Sequence, residues 1–256
     1  MQTSRIETDS LGMMFSPGVA VLANVSMSVA KGEFVSLLGP SGCGKSTLLR
    51  SLAGLIQPQE GSVRIDGQPP VTARRTNTRV AFVFQDPTLL PFRTVRSNIR
   101  LPLELEGNVT KATDALIDKT LMLVGLNAKD ASKRPAQLSG GMRMRVSLAR
   151  ALVTEPDVLL MDEPFAALDD VLRQQLNEEL LRICSTRKCT TVFVTHNVTE
   201  AVFLSHRILV MSANPGRIVQ TIDVPFDWPR DSTLRTEPSF LQLVAEVGIA
   251  LREEQA

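Results

Sequence analysis

One short segment of the chain combines glycines, a lysine and two hydroxyl side chains at a spacing that can bind phosphate. The segment reads Gly39-Pro40-Ser41-Gly42-Cys43-Gly44-Lys45-Ser46-Thr47, and it lies between an apolar run and a helical pattern. Because glycines let backbone N–H groups point inward at the start of a helix, this arrangement favours a bound anion. We expect Lys45 to reach the β- and γ-phosphates of a nucleoside triphosphate, Ser46 to bind Mg²⁺ and Thr47 to lie near the α-phosphate.

Two adjacent carboxylates follow a second apolar run. Asp162 and Glu163 come directly after residues 158–161, which are all apolar. In a protein with a phosphate loop, an acid at the end of a neighbouring strand holds Mg²⁺, usually through water, and we assign this role to Asp162. Glu163 is placed to polarise a water for in-line attack on the γ-phosphate. The ordinary alternative is that the two acids are solvated at an exposed strand end. The phosphate loop in the same chain favours the functional interpretation over this one.

A serine and two glycines precede another helical pattern. Ser139 is a good helix N-cap, and Gly140 and Gly141 leave backbone N–H groups open at the start of a helix that extends to about residue 152. This predicts a second anion site. Taken alone the pattern is weak, because such turns are common before helices.

Composition limits the classes of function. The chain has 256 residues, 28 of them basic and 27 acidic, so its net charge of +1 gives no reason to expect nucleic acid as a partner. Its three cysteines, Cys43, Cys184 and Cys189, form no C-x-x-C pair, which favours reduced thiols over a disulfide framework or a zinc site. The first ten residues lack a leader pattern, and no window approaches the ~20 apolar residues of a membrane span. We therefore expect membrane association only through a partner.

The order of predicted elements indicates an α/β fold. Short strands and turns are expected over residues 5–67, a buried strand over 80–84 and helical sequence from about 87 to 137. Strands at 158–161, 191–194 and 208–211 then alternate with a helix, which implies a parallel sheet. A last helix carries Phe240, Val244, Val247 and Leu251 on one apolar stripe, which we expect to pack on the body of the chain.

Six motifs in one order identify a resemblance to the nucleotide-binding subunit of ATP-binding-cassette (ABC) transporters. They are the phosphate loop at 39–47, Gln85 of the Q-loop, the signature Leu138-Ser139-Gly140-Gly141-Met142, the run Leu159-Leu160-Met161-Asp162-Glu163-Pro164, Ala167-Leu168-Asp169 of the D-loop and the switch histidine His196. They cover nearly the whole chain.

The resemblance implies a phosphate-loop NTPase core of ABC-ATPase type with an antiparallel β subdomain and an inserted helical subdomain. The core and β part would occupy about 1–86 and 157–222, the helical subdomain about 87–156 and a helical tail 223–256. All of them belong to one nucleotide-binding domain over residues 1–256. ATP and Mg²⁺ are the implied cofactors.

The resemblance also implies roles for single residues. His196 would bond the γ-phosphate and hold Glu163, Gln85 would sense Mg²⁺ and the attacking water, and Asp169 would shape a dimer seam. Two subunits would sandwich ATP head to tail, so that Ser139 and Gly141 of one copy contact the nucleotide of the other. The chain has no tyrosine, so Phe15 is the residue that would stack on adenine.

Two further segments resemble the nitrate/sulfonate/taurine branch of bacterial importers: residues 89–95 after the Q-loop and Asn214-Pro215-Gly216-Arg217. In that branch the ATPase works at the cytoplasmic face of the membrane with a separate permease and, indirectly, a solute-binding protein. Leu89 to Phe92 would line the groove for the permease, unless they pack inside the helical subdomain. The alternative function is a soluble ABC ATPase in a non-transport assembly. The transported solute is beyond what the sequence specifies.

Overall fold

The structure, a computed structural model, describes residues 4–254 apart from Pro17, Asn77 and Ala167. The amino-terminal part forms a three-stranded antiparallel sheet in the order β2-β1-β4. Its strands are β1 (Ser4–Ser16), β2 (Val19–Ala30) and β4 (Glu60–Ile65). β1 and β2 are long strands joined by a hairpin, where the sequence alone indicates shorter strands. Several register shifts interrupt the pairing of the two strands, as β-bulges do.

The second sheet has the order β5-β6-β7-β3-β8-β9. Its strands are β3 (Phe34–Leu38), β5 (Val80–Val83), β6 (Val158–Asp162), β7 (Thr190–Val194), β8 (Arg207–Met211) and β9 (Ile218–Asp223). The first five strands of this order are parallel, and β9 pairs antiparallel with β8. Every residue of β3, β6 and β7 is buried, as expected for strands covered on both faces.

Helices cover the second sheet and fill the segment between β5 and β6. They are α1 (Lys45–Leu52), α2 (Pro70–Thr76), α3 (Val95–Leu105), α4 (Thr113–Leu123), α5 (Gly140–Leu152), α6 (Asp170–Arg187), α7 (Val198–Leu204) and α8 (Pro238–Glu253). The helices between β5 and β6 are α3, α4 and α5, and they lie where the sequence places the helical subdomain. Short 3₁₀ turns occur at Ala128–Asp130, Pro135–Gln137 and Ser232–Thr236.

The apolar stripe of α8 packs on the body of the chain, as its spacing predicts. Phe240, Leu243, Val247 and Leu251 are buried in the same core cluster as α7, and Val244 packs against it. The tail is therefore part of the core. Within the described residues, no helix is long and apolar enough to cross a bilayer.

Candidate nucleotide site

The phosphate loop connects the carboxyl end of β3 to the first turn of α1. Gly44 is the N-cap of α1 and has φ 98°, a conformation that favours glycine. A Cβ on Gly44 would lie 2.6 Å from Leu22 Cδ2 and 3.1 Å from the carbonyl oxygen of Val21. The loop therefore lies directly against β2, and only glycine fits at the contact. The first N–H groups of α1 receive no side-chain cap, which leaves donors for an anion.

Lys45 is folded back over this loop. Its Nζ donates to the carbonyl oxygens of Gly39 and Pro40, both at 2.8 Å, and the residue is buried. Cys43 Sγ is 3.8 Å from the same amino group. Burial raises the pKa of the Cys43 thiol despite this neighbouring charge, so the group is a neutral thiol. The ammonium group thus lies at the loop's concave side, held by neutral groups that a phosphate oxygen can replace.

Ser46 and Asp162 meet beside the loop. Ser46 Oγ donates to Asp162 Oδ1 at 2.7 Å, and Arg50 Nη2 lies 4.0 Å from Asp162 Oδ2. Burial raises the pKa of the Asp162 carboxyl, while the Ser46 hydroxyl and the charge of Arg50 act in the opposite direction. Hydroxyl and carboxylate oxygens are the ligands that Mg²⁺ prefers. The described residues contain no cluster of three or more His, Cys, Asp or Glu side chains that could hold a metal. A cation here would need further oxygens from a nucleotide and water.

Glu163 and His196 form a second polar pair at the same edge of the sheet. The Glu163 N–H donates to the carbonyl oxygen of Val194 at 3.0 Å, which ties the end of β6 to the end of β7. His196 Nδ1 lies 3.0 Å from Glu163 Oε2. Glu163 has φ 44°, an uncommon conformation for a residue other than glycine. The backbone after β6 is thus held so that the two side chains meet.

A cavity of about 350 Å³ joins these groups. The residues that line it are Val21, Ser41, Gly42, Gly44, Lys45, Ser46, Thr47, Gln85 and Glu163. The phosphate loop, the Q-loop glutamine and the acid after β6 therefore face one space. Of these residues, Val21 belongs to no motif, and nothing in the sequence predicts that it lines the site. Arg50 was also missed, although its position one helical turn after Ser46 is a signal that places it on the same face.

The signature and the D-loop lie elsewhere. Ser139, Gly140, Gly141 and Asp169 do not line the 350 Å³ cavity within the described part of the chain. Ser139 caps α5 by accepting from Met142 N at 3.2 Å, and Asp169 caps α6 by accepting from Leu172 N at 2.9 Å.

The two caps are close neighbours, because a Cβ on Gly141 would collide with Leu172 Cδ2. They form one exposed surface at the starts of α5 and α6. Of the D-loop residues, Ala167 lies outside the described residues.

Phe15 is 66% exposed near the end of β1, and its neighbours Met14 and Val19 are exposed as well. It does not line the cavity within the described residues. Val21, on the strand paired with β1, does line it. The stacking role of Phe15 stays a prediction.

Residues 22–166 match the family model described as "ABC transporter". The chain belongs to the ABC transporter family. An uncharacterized ABC transporter ATP-binding protein of Methanocaldococcus jannaschii is 43% identical over 92% of this chain and 86% of its own length. An aliphatic sulfonates import ATP-binding protein of Bacillus thuringiensis is 42% identical over 90% of this chain and 87% of its own length. The chain is accordingly an ATP-binding ATPase of this family, as its motifs predict.

Solved ABC cassettes share its fold. A dimeric cassette in a post-hydrolysis state, bound to ADP and Pi, superposes with a TM-score of 0.78 at 29% identity, covering 87% of this ABC ATPase and 100% of that chain. A dimeric bacterial ABC transporter cassette gives a TM-score of 0.77 at 31% identity over the same shares. The predicted fold class is confirmed.

Proposed function

We propose that this ABC ATPase is the ATP-hydrolysing subunit of an importer for a small solute such as nitrate, a sulfonate or taurine, which crosses the membrane through a separate permease. The observation that carries the ATPase mechanism is the convergence of the phosphate loop, Gln85 and Glu163 on one cavity. The solute class is supported by the 42% identity to the sulfonate import protein and by the two branch segments of the sequence.

The residues that line the cavity, and Asp162 and His196 beside it, have distinct tasks in hydrolysis. The ammonium group of Lys45 exchanges the carbonyls of Gly39 and Pro40 for oxygens of the β- and γ-phosphates. Ser46 and Asp162 would hold Mg²⁺ with the nucleotide, and the ion would neutralise developing charge on the phosphates. Glu163 accepts a proton from the attacking water. His196 fixes the carboxylate of Glu163 through the 3.0 Å contact of its Nδ1.

The surface made by Ser139, Gly141 and Asp169 is explained by a second copy of the chain. These residues lie outside the cavity of their own chain. The Ser139 side chain caps the Met142 N–H, and the N–H groups of Gly140 and Gly141 before it remain as donors for an anion. In a head-to-tail dimer the surface would close over the γ-phosphate held by the partner. The dimeric cassettes of the same fold support this arrangement.

A second cavity, of about 410 Å³, offers a surface for the permease. Phe82, Phe84, Leu101 and Leu105 contribute to its lining, as does Arg150. Arg150 also donates to the carbonyl oxygens of Pro87 and Thr88, both at 2.9 Å. A permease segment bound here would therefore touch the residue that holds the backbone just after Gln85, and its movement would reach the nucleotide.

The segment predicted to line the permease groove is only partly available to a partner. Phe92 is 70% exposed, whereas Leu89 packs against the large core cluster. We propose Phe92 as the permease contact of this segment.

The decisive variant is Glu163→Gln, with Glu253→Gln, at an exposed residue at the end of α8, as the matched control. We expect turnover to fall about 10²-fold or more, because the proton acceptor is lost while the phosphate contacts remain. ATP should stay bound, and sizing with ATP and Mg²⁺ should show a dimer. Unchanged turnover, or a monomer under these conditions, contradicts the mechanism.

The importer assignment is tested separately by isolating tagged Glu163→Gln chain from detergent-solubilised membranes. Co-purification of a multi-span permease is the expected result. A soluble assembly in its place would favour the alternative function.

A further inference from the structure

A third cavity, of about 500 Å³, lies at the end of the second sheet opposite the phosphate loop. Its lining includes His206, which precedes β8 and accepts a hydrogen bond from the N–H of Phe34, the first residue of β3. The phosphate loop follows the other end of β3, about 13 Å away for a strand of this length. The cavity is therefore separate from the nucleotide site, although β3 connects the two.

One wall of this cavity is aromatic and fixed. The Trp228 indole Nε1–H donates to the carbonyl oxygen of Leu204 at 3.1 Å, and the ring lies 4.7 Å from the His206 ring, centroid to centroid. His206 is the neutral tautomer with its proton on Nε2, because Nδ1 accepts from Phe34. Burial and the nearby charge of Arg230 lower the pKa of His206, which agrees with this state. Trp228 is half-buried, so part of its apolar face is open to the cavity.

The rest of the lining is basic. Arg5, Lys31 and Lys188 contribute to it, and no acidic residue does so among the residues described. Arg5 is paired with Asp66 and Asp157, and Lys31 Nζ lies 3.5 Å from Asp66. Lys188 forms no ion pair with any residue that the structure describes. Buried Arg230, next to Pro229 of the lining, donates to the carbonyl oxygens of Val202 and Phe203 and adds a further positive charge.

The backbone conformation of Lys188 is a second reason to regard this cavity as a binding site. It is the C-cap of α6 with φ 51° and ψ 39°, where glycine is the usual residue. A lysine in this position keeps a strained backbone, and the residue lines the cavity. Strain retained at one residue is a reason to look for a function.

We propose that this cavity binds a small organic anion, with its flat or apolar body against Trp228 and its carboxylate or sulfonate group paired with Lys31 and Lys188. The volume is within the range of small-molecule sites, and the lining combines an aromatic face with charged groups that can orient a ligand. A neutral ligand would give Lys188, which forms no ion pair with the described residues, no opposite charge. An inorganic anion would leave the face of Trp228 without a contact.

The test uses the intrinsic fluorescence of Trp228. Trp228 is the chain's one tryptophan and there is no tyrosine, so its fluorescence reports on this cavity directly. Benzenesulfonate is titrated into the full chain. Benzyl alcohol, which has the aromatic ring without a charge, and sodium sulfate, which has the anion without a ring, are titrated separately as controls. Ionic strength is matched with sodium chloride throughout. A saturable change with benzenesulfonate that neither other probe reproduces is the expected result.

Variants locate the binding. Lys31→Met combined with Lys188→Gly removes both amino groups, and the glycine suits the backbone of position 188. We expect the dissociation constant for benzenesulfonate to rise about tenfold or more. Lys129→Ala, at an exposed lysine of the 3₁₀ turn Ala128–Asp130, is the control that should leave it unchanged.

Three results would overturn the proposal. They are a Trp228 fluorescence change that does not saturate with benzenesulfonate, an equal change with benzyl alcohol, and an unchanged dissociation constant in the double variant. The titration is also repeated with saturating ATP without Mg²⁺. Retained binding places the probe outside the phosphate loop. Simple competition with ATP would overturn the proposed location.

Discussion

Ser46 Oγ donates a 2.7 Å hydrogen bond to Asp162 Oδ1, and this bond joins the first turn of α1 to the end of β6. Asp162 is 3% exposed, so its carboxyl has little water to replace a lost donor. The bond also holds the two oxygens that would bind Mg²⁺ close together without the metal. It therefore contributes to the stability of the fold and to the geometry of the site.

Replacing Ser46 separates these contributions. We expect Ser46→Ala to lower the free energy of unfolding by about 1–3 kcal/mol, because a buried acceptor loses its donor. Urea unfolding without nucleotide measures this effect, and a hydrolysis assay with Mg²⁺ should show reduced turnover. Ser46→Thr keeps the hydroxyl and should retain both properties. An alanine variant as stable as the parent would show that Asp162 does not depend on this bond.

The signature glycines differ in their surroundings, which gives a second prediction. A Cβ on Gly141 would collide with Leu172 Cδ2, whereas a Cβ on Gly140 would meet open space. We expect Gly141→Ala to destabilise the chain by about 1–3 kcal/mol through overpacking. Gly140→Ala should leave stability unchanged or raise it by up to about 1 kcal/mol, because alanine favours a helix more than glycine does.

Thermal unfolding of both variants measures this difference, and Gly141→Ala combined with Leu172→Ala provides the control. The double variant should recover part of the loss, since the colliding atom is removed. Equal stability of the two single variants would mean that α5 and α6 are not packed through this contact. In that case the caps Ser139 and Asp169 would not share a surface.

The parts of the site that the sequence predicts best are those carried by local backbone geometry. The phosphate loop needs a strand, glycines and a helix in succession, and all are visible in residues 34–53. The acid pair is equally local, because the apolar run before Asp162 shows where β6 ends. The meeting of Glu163 with His196 depends on β6 lying beside β7, which the motif order implies only through the family resemblance.

Other features are set by tertiary contacts and have no local signal. α3 begins at Val95 and continues through Pro102, although proline inside a helix removes a hydrogen bond. Thr94 caps its start by accepting from Ser97 N, and buried Asn98, Ile99 and Leu103 hold it against the core. Val21 reaches the nucleotide cavity only because the β1–β2 hairpin folds against Gly44. Neither outcome is readable from residue type or spacing.

His206 gives the last prediction, on the dependence of stability on pH. Its pKa in the folded chain is lowered by burial and by the charge of Arg230, whereas an unfolded histidine titrates near pH 6.5. Between these two values the unfolded chain binds more protons than the folded chain. The contribution of His206 to stability is therefore fully present above about pH 6.5 and is lost as the pH falls towards the folded pKa.

His206→Gln, which keeps a polar side chain, should show a smaller loss of stability than the parent between pH 7.5 and pH 5.5. Urea unfolding at both pH values measures the difference between the two chains, in which the titration of buried acids such as Asp162 and Glu200 cancels. The same slope in the His206→Gln chain and the parent would show that the Phe34 N–H does not hold His206 in its neutral form.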